Sequence, residues 1–157
     1  MSRRIHVDES GVSKYCFRTH ARALRGKRIH GIIPGKKQKR TNVVAGICCG
    51  KIIGDYCYEG SMNSARFEDW FCDYLLPNTR KGDTIIMDNA SYHNKKRLKK
   101  YAWVYKVYII FLPPYSPDYN SPIENVWANL KRFLRNYGYD FQTVEYGIYW
   151  YFNAAYS

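Results

Sequence analysis

The chain has 157 residues, a length that fits one domain able to bury roughly 70% of the surface of its unfolded form. Lysine and arginine number 25 against 13 aspartates and glutamates, and the net charge of +12 favours a polyanionic partner over a merely soluble basic surface. No run approaches the ~20 apolar residues of a membrane span, and the N-terminus lacks the apolar segment of a signal peptide. We therefore expect no membrane partner and a cytoplasmic location, in the cytosol or nucleoid.

The cysteines indicate a reducing environment. Their five positions form an odd set without a C-x-x-C pair, which argues against both a disulfide framework and a zinc site. We expect all of them to be reduced: Cys16, Cys48, Cys49, Cys57 and Cys72.

The first third of the chain predicts antiparallel strands. Residues 3–10, RRIHVDES, alternate apolar and polar side chains, as in a half-buried strand whose polar face ends in Asp8. Two later segments, 27–35 and 41–60, carry β-branched runs broken by glycines. They predict two or three further strands that complete a meander.

The middle of the chain predicts a helix and then a short strand. Apolar residues recur at helical spacing over residues 64–76, with Ser64 as the N-cap, and Pro77 stops the pattern. Residues 82–90, GDTIIMDNA, predict a short buried strand that ends in Asp88.

The remaining elements continue this alternation. A basic helix is predicted from about residue 94 to 105, followed by a buried strand at 106–114. A long helix follows Pro122 and ends at Gly138, and residues 141–157 predict a final helix. Strands and helices in this order indicate an α/β fold, a mixed sheet covered by helices.

Three acids lie at the ends of predicted elements. Asp8 and Asp88 end strands, and Glu124 lies on the first turn of a helix that returns to the same sheet edge, where ligands bind in α/β folds. Converging carboxylates repel one another and call for cations. Hard oxygen ligands favour Mg²⁺ or Mn²⁺ over zinc, and two such ions could activate a water or a 3′-hydroxyl.

Structural alternatives exist for each acid. A single aspartate at a strand end is often a turn residue, and Glu9 competes with Asp8 as the inward acid. Asp83 or Asp118 could equally take the place of a neighbouring acid.

Glu124 has its own alternative, because with Ser121 it forms a capping box. At 100° per residue, Glu124 projects from the flank of the helix beside Ala128, Lys131 and Arg135. The two cations could meet phosphates there, or this could be an ordinary solvated face. The opposite side is a broad apolar stripe, made of Ile123, Val126, Trp127, Leu130, Phe133, Leu134 and Tyr137.

Three segments resemble the acid-bearing motifs of DDE transposases. They are VDESGV at 7–12, IIMDNASYH at 85–93 and LPPYSPDYNSPIENVWANLK at 112–131, and the branch they resemble is the bacterial insertion-sequence branch of the mariner-like superfamily. Segments 25–47 and 58–71 resemble the intervening region of that family. The resemblance implies a ribonuclease H-like fold with a mixed five-stranded sheet, three antiparallel strands and two further ones, flanked by helices.

The resemblance also implies an activity. Asp8, Asp88 and Glu124 would be the catalytic residues, binding two divalent metal ions, Mg²⁺ or Mn²⁺. The enzyme would cut transposon ends and join the released 3′-hydroxyls to target DNA, working as a homodimer that DNA bridges. The alternatives are an integrase or nuclease of the same fold, and a catalytically inactive remnant or non-enzymatic DNA-binding module.

Further polar residues match the family around the second acid or form basic segments. Asn89 and His93 could position Asp88 or the DNA backbone, or cap the following helix. Residues 93–100 and 35–40 are basic segments that could bind phosphates or remain solvated. The predicted DNA contacts are Asn89, His93, Lys95, Lys96, Lys131, Arg135, Lys36, Lys37 and Arg40.

The chain departs from the family pattern in two places. Both Ser121 and Pro122 stand between Asn120 and Ile123, one residue more than the family has, and we expect the loop before the helix to absorb it. Only seven residues precede Asp8, which leaves no room for the family's helix-turn-helix region. We therefore expect residues 1–157 to form a single catalytic domain, with end recognition supplied by a helix-turn-helix polypeptide from a split gene.

Overall fold

The computed structural model describes residues 2–13, 40–113 and 121–156. Within these ranges the strands are β1 (Arg4–Ser13), β2 (Arg40–Cys48), β3 (Lys51–Tyr58), β4 (Thr84–Met87) and β5 (Tyr108–Phe111). They form one sheet in the order β3-β2-β1-β4-β5. The first three strands are an antiparallel meander, and β4 and β5 add to it in parallel. The predicted mixed five-stranded sheet is confirmed.

All four predicted helices are present. They are α1 (Ser64–Trp70), α2 (Lys95–Val104), α3 (Ser121–Tyr137) and α4 (Val144–Tyr156). A π-helical turn and a 3₁₀ turn that contains Pro77 follow α1. The segment 27–35, for which a strand was predicted, lies outside the described residues.

The N-cap predicted for α1 is wrong by one residue. The Oδ1 of Asn63 accepts a hydrogen bond from the backbone N–H of Arg66 at 2.9 Å, so Asn63 caps the helix. Ser64 lies inside the first turn, and its hydroxyl donates to the carbonyl oxygen of Tyr92 at 2.6 Å. Asn and Ser are about equally good N-caps, so residue preference alone does not choose between neighbours.

The β2–β3 hairpin contains a bulge that docks it against the helical layer. The register of the two strands shifts beside Gly54, which has a positive φ of 63°. The carbonyl oxygen of Gly54 accepts a hydrogen bond from the indole Nε1–H of Trp70 at 2.6 Å. A Cβ on Gly54 would lie 3.0 Å from the carbonyl oxygen of Tyr74, so glycine is needed at this close approach.

Helices cover both faces of the sheet. The face toward α1 and α2 holds one apolar cluster, which includes Ile5, Val7, Phe67, Trp70, Phe71, Leu75, Ile85, Met87 and Leu98. The face toward α3 and α4 holds a second cluster, which includes Val12, Val43, Ala45, Ile123, Val126, Trp127, Leu130, Leu134, Ile148 and Phe152. Each fully buried side chain of this kind contributes about 1.5–3 kcal/mol. The predicted apolar stripe of α3 therefore packs on the sheet, although Tyr137 at its end is 53% exposed.

The described cysteines, Cys48, Cys49, Cys57 and Cys72, are free thiols. None of the helices that the structure describes is long and apolar enough to cross a membrane.

Candidate functional site

The parallel pairing of β1 and β4 places two acids at one edge of the sheet. The last paired residues are His6 and Ile86, and Asp8 and Asp88 each lie two positions further along the chain, Asp88 directly after the end of β4. Because side chains alternate with a period of two, equal steps bring the two acids to corresponding positions. Both line a cavity of about 10 Å³, the space of about one water molecule. The structure thus brings together the first two predicted acids.

The surroundings of Asp8 disfavour the negative charge of its carboxylate. Its Oδ2 accepts a hydrogen bond from the indole Nε1–H of Trp127 on α3, at 3.0 Å. The pKa of Asp8 is raised to about 6, chiefly by burial and also by the charges of Asp88 and Glu9, and the hydrogen bonds from Glu9 and Trp127 only partly oppose this rise. A cation beside the carboxylate would offset both the burial and the repulsion.

Asp88 begins a loop whose later residues form hydrogen bonds back to it. Its side chain is 56% exposed, and its Oδ1 accepts the backbone N–H of Ala90 at 3.2 Å. The Nδ1 of His93 lies 3.2 Å from the carbonyl oxygen of Asp88. Burial lowers the pKa of His93 against the opposing charge of Asp88, so the imidazole is neutral near pH 7 and its Nδ1–H donates to that carbonyl.

The burial of His93 decides between its predicted roles. Its side chain is only 3% exposed, and its ring centroid lies 4.3 Å from that of Phe67. A side chain in this position supports the backbone of Asp88 and does not reach a DNA strand outside. The predicted capping role is wrong for both His93 and Asn89, because the Oδ1 of Asn94 caps α2 by accepting the N–H of Arg97 at 3.2 Å.

Glu124 lies on the exposed first turn of α3. It precedes Trp127 by three residues, so the two lie on neighbouring positions of one helix face, and the Trp127–Asp8 hydrogen bond holds that turn against β1. Among residues 2–13, 40–113 and 121–156, no three His, Cys, Asp or Glu side chains are close enough to hold a metal ion. The structure therefore shows a pair of acids with Glu124 on the adjoining helix, and the three-acid set stays a prediction.

The donor set at this edge fits a hard divalent cation. Asp8 and Asp88 offer carboxylate oxygens, and among the described residues no thiol lines their cavity. A cation that binds between them would offset the burial and the repulsion that together raise the pKa of Asp8. Oxygen donors of this kind suit Mg²⁺ or Mn²⁺ better than zinc.

Glu9, which competes with Asp8 in the sequence, has other partners. Its Oε2 accepts the hydroxyl of Tyr58 and its Oε1 accepts the hydroxyl of Tyr92, each at 2.6 Å. The alternation of β1 directs Glu9 away from Trp127 and α3. Asp8, not Glu9, is therefore the acid that α3 contacts.

Asp83, the other alternative acid, is structural. It is 2% exposed, its Oδ1 accepts Nε–H of Arg3 at 3.1 Å, and its Oδ2 accepts a second Arg3 N–H. Asp118 lies outside the described residues.

Exposed cations follow the second acid along the chain and occur on β2 and α3. Immediately after the Asp88 loop, α2 presents exposed Lys95, Lys96, Arg97, Lys99 and Lys100. Asn89 is exposed beside Asp88, and Arg40 is exposed at the start of β2. On α3, Arg135 is exposed and Lys131 is half-buried. The remaining predicted contacts, Lys36 and Lys37, lie outside the described residues.

Three side chains at the site escaped the sequence-based predictions. Trp127 was assigned to the apolar stripe alone, although a tryptophan one turn after a candidate acid has an N–H that needs a partner when buried. Tyr58 and Tyr92 carried no local signal, because they meet Glu9 only through the folded sheet.

Comparisons with known proteins identify the family. The sequence model of the family described as DDE superfamily endonuclease matches residues 3–145. A search of curated protein sequences gave no significant match.

Solved structures share the fold. A Mos1 transposase paired-end complex with the left transposon end has a TM-score of 0.68 at 14% identity, covering 97% of this chain and 47% of that one. The Mos1 mariner paired-end complex with Mn has a TM-score of 0.68 at 16% identity and the same coverage. The catalytic core domain of BIV integrase has a TM-score of 0.52 at 16% identity, covering 69% of this chain and 70% of that one.

The chain spans about half the length of the Mos1 transposase chains that it matches. The similarity to Mos1 is one of fold, and the mariner-like assignment and its insertion-sequence branch stay predictions. The chain belongs to the DDE superfamily endonucleases, and it has the ribonuclease H-like fold of transposase and integrase catalytic domains.

Proposed function

We propose that this chain is the catalytic domain of a DDE transposase, which cleaves transposon ends and transfers the 3′-hydroxyls into target DNA with Mg²⁺ or Mn²⁺. The observation that carries the proposal is the meeting of Asp8 and Asp88 at corresponding positions of β1 and β4. Family membership supports assigning the pair a role in phosphodiester chemistry rather than in a turn.

The residues of the site divide the work as follows. Asp8 and Asp88 would hold a divalent cation, and Glu124 would complete the set from α3. Trp127 orients the Asp8 carboxylate through its indole N–H, and His93 fixes the backbone of Asp88. Bound divalent ions would activate the attacking water or 3′-hydroxyl and stabilise the leaving oxygen.

DNA is the proposed partner because exposed cations follow the loop of the second acid. Lys95 and Lys96 begin α2 directly after the Asp88 loop, where they could bind phosphates near the site. Binding through phosphates releases counterions, so DNA affinity should fall steeply with salt.

The proposal includes two protein partners. The structures of similar fold include a Mos1 transposase paired-end complex and a Mos1 strand transfer complex. By analogy, a homodimer of this chain would hold two DNA ends, and a helix-turn-helix polypeptide from a split gene would recognise the terminal repeats.

Nicking of supercoiled plasmid DNA in Mn²⁺ tests the proposal without knowledge of the terminal repeats. The wild-type protein should nick, and Asp88→Asn should reduce the rate more than about 100-fold, since even outer partners of metal ligands contribute 10–100-fold. Asp69→Asn, at an exposed acid of α1, is the matched control and should nick normally. Equal nicking by Asp88→Asn and wild type would refute the assignment.

The alternative of a non-enzymatic DNA-binding module has one observation in its favour. In the described part of the chain, Glu124 does not join Asp8 and Asp88 in a three-acid group. Calorimetry that shows no Mn²⁺ binding, together with persistent salt-sensitive DNA binding, would support this alternative. An integrase of the same fold is separated from a transposase by an assay with transposon ends.

A further inference from the structure

The carboxylate of Glu9 joins three elements of the fold. It lies on β1, and it accepts one hydroxyl from Tyr58 at the end of β3 and one from Tyr92 in the loop that connects β4 to α2. Both oxygen–oxygen distances are 2.6 Å, as expected for charge-assisted O–H···O⁻ bonds. A single side chain thereby connects the centre of the sheet to its edge strand and to the β4–α2 loop.

Tyr92 belongs to the same loop that Asp88 begins. Its ring packs edge-on against His93, with centroids 4.7 Å apart, and His93 in turn donates to the carbonyl oxygen of Asp88. The carbonyl oxygen of Tyr92 accepts the hydroxyl of Ser64 at 2.6 Å, so α1 also holds the loop. Any restraint on Tyr92 is therefore passed along a continuous set of contacts to Asp88.

Glu9 is also the immediate neighbour of Asp8. The backbone of β1 directs Asp8 toward Trp127 and Glu9 toward Tyr92, so one short stretch of strand holds the first acid and restrains the loop of the second. Glu9, Asp8, Asp88, Tyr92 and other residues line the same small cavity.

We propose that Glu9 is a positioning residue, which sets the spacing between the carboxylates of Asp8 and Asp88 by holding the β4–α2 loop through Tyr92. This inference rests on the proposed function, because the spacing matters if the two carboxylates share a cation. Glu9 itself touches neither the cation nor the DNA in this role.

The chain supplies a matched control in Tyr58. Tyr58 and Tyr92 donate the same kind of bond, over the same distance, to the two oxygens of one carboxylate. Tyr58, however, lies on β3, which carries none of the proposed site residues. If the two hydrogen bonds to Glu9 only stabilise the fold, losing either hydroxyl should have the same effect. If Glu9 positions the loop, losing the Tyr92 hydroxyl should have the larger effect on cation binding.

The experiment compares Tyr92→Phe, Tyr58→Phe and Glu9→Gln with the wild type. Calorimetry gives the Kd for Mn²⁺, hydrogen exchange of residues 88–94 reports the loop in the metal-free protein, and thermal unfolding reports stability. We expect Tyr92→Phe and Glu9→Gln to weaken Mn²⁺ binding about tenfold, within the range for outer partners of metal ligands. Both should speed exchange in the loop. Tyr58→Phe should match the Tm of Tyr92→Phe but leave both readouts within about twofold of wild type.

The outcomes separate the two levels of the proposal. Equal weakening by the two tyrosine variants, or unchanged loop exchange in Tyr92→Phe, overturns the positioning role of Glu9. A wild-type protein that binds no Mn²⁺ instead refutes the proposed function, and the exchange comparison still decides whether Glu9 holds the loop.

Discussion

The acids at the two ends of the β1–β4 pair have pKa shifts in opposite directions. At the N-terminal ends, Asp83 is buried, and burial alone would raise its pKa; the guanidinium of Arg3 and the N–H of Arg80 outweigh burial and lower the pKa. At the C-terminal ends, burial raises the pKa of Asp8 to about 6 and the charge of Asp88 adds to the rise, while the hydrogen bond from the neutral indole of Trp127 does not outweigh them.

The difference distinguishes an acid that maintains the fold from one that is held ready for a ligand. Asp83 already has its cation, so its charge contributes to stability. Asp8 is partly buried and has another acid nearby, so its charge opposes folding until a cation binds. Variants at the two ends should therefore affect stability and cation binding in opposite patterns.

The largest effect is expected on cation binding at the C-terminal ends. Asp88→Asn should weaken Mn²⁺ binding more than about 100-fold in calorimetry, because a ligand is lost rather than an outer partner. Its free energy of unfolding should stay within about 0.5 kcal/mol of wild type, since the side chain is 56% exposed. Unaltered Mn²⁺ affinity in this variant would show that Asp88 is not a cation ligand, and the proposed difference between the two ends would not hold.

The next effect is a loss of stability at the N-terminal ends. Asp83→Asn removes the negative charge that pairs with the Arg3 guanidinium, and it should lower the free energy of unfolding by about 2–3 kcal/mol. This is less than the full 3–5 kcal/mol of a buried pair, because the Arg3 side chain is 23% exposed. Urea unfolding measures the change, and Asp73→Asn, at an exposed acid, is the control. Mn²⁺ binding should match wild type, and a stability change no larger than that of Asp73→Asn would contradict a structural role for Asp83.

Much of this architecture was predictable because its signals are local. The alternation in β1, the short apolar runs of β4 and β5 and the stripe of α3 each specify an element from neighbouring residues. The convergence of Asp8 and Asp88 was predicted from two acids at strand ends of one sheet, but β1 continues to Ser13, so Asp8 lies just past the end of the β1–β4 pairing and not at the end of its strand.

The choice among acids was not predictable because it depends on partners distant in sequence. Arg3 and Asp83 are 80 residues apart, and Glu9 and Tyr92 are 83 apart. Trp127 meets Asp8 across 119 residues. Adjacent acids such as Asp8 and Glu9 differ only in which face of the strand they occupy, and no local pattern states what each face will meet.

A smaller effect of opposite sign is expected from Asp8→Asn. The amide removes a partly buried charge next to Asp88 while its oxygen can still accept the Trp127 N–H. The free energy of unfolding of the metal-free protein at pH 7 should therefore rise by about 1 kcal/mol, while Mn²⁺ binding is lost. Destabilisation by Asp8→Asn in urea unfolding would show that the carboxylate contributes to the fold.

The smallest effect is the pH dependence of these two stability differences, each changing by about 1 kcal/mol or less. The raised pKa of Asp8 makes its charge destabilising above about pH 6, and this penalty disappears as pH falls from about 6 toward the ordinary aspartate value of about 3.9. The lowered pKa of Asp83 makes its charge stabilising above about pH 3.9, and this contribution is lost only as pH falls below that value. The gap between wild type and Asp8→Asn should thus close between pH 7 and 4, where the gap between wild type and Asp83→Asn stays constant. Urea unfolding of the three proteins at pH 7, 5 and 3.5 separates the two pH ranges. If both stability differences disappeared over the same pH range, Asp8 and Asp83 would not have the opposite pKa shifts that their surroundings indicate.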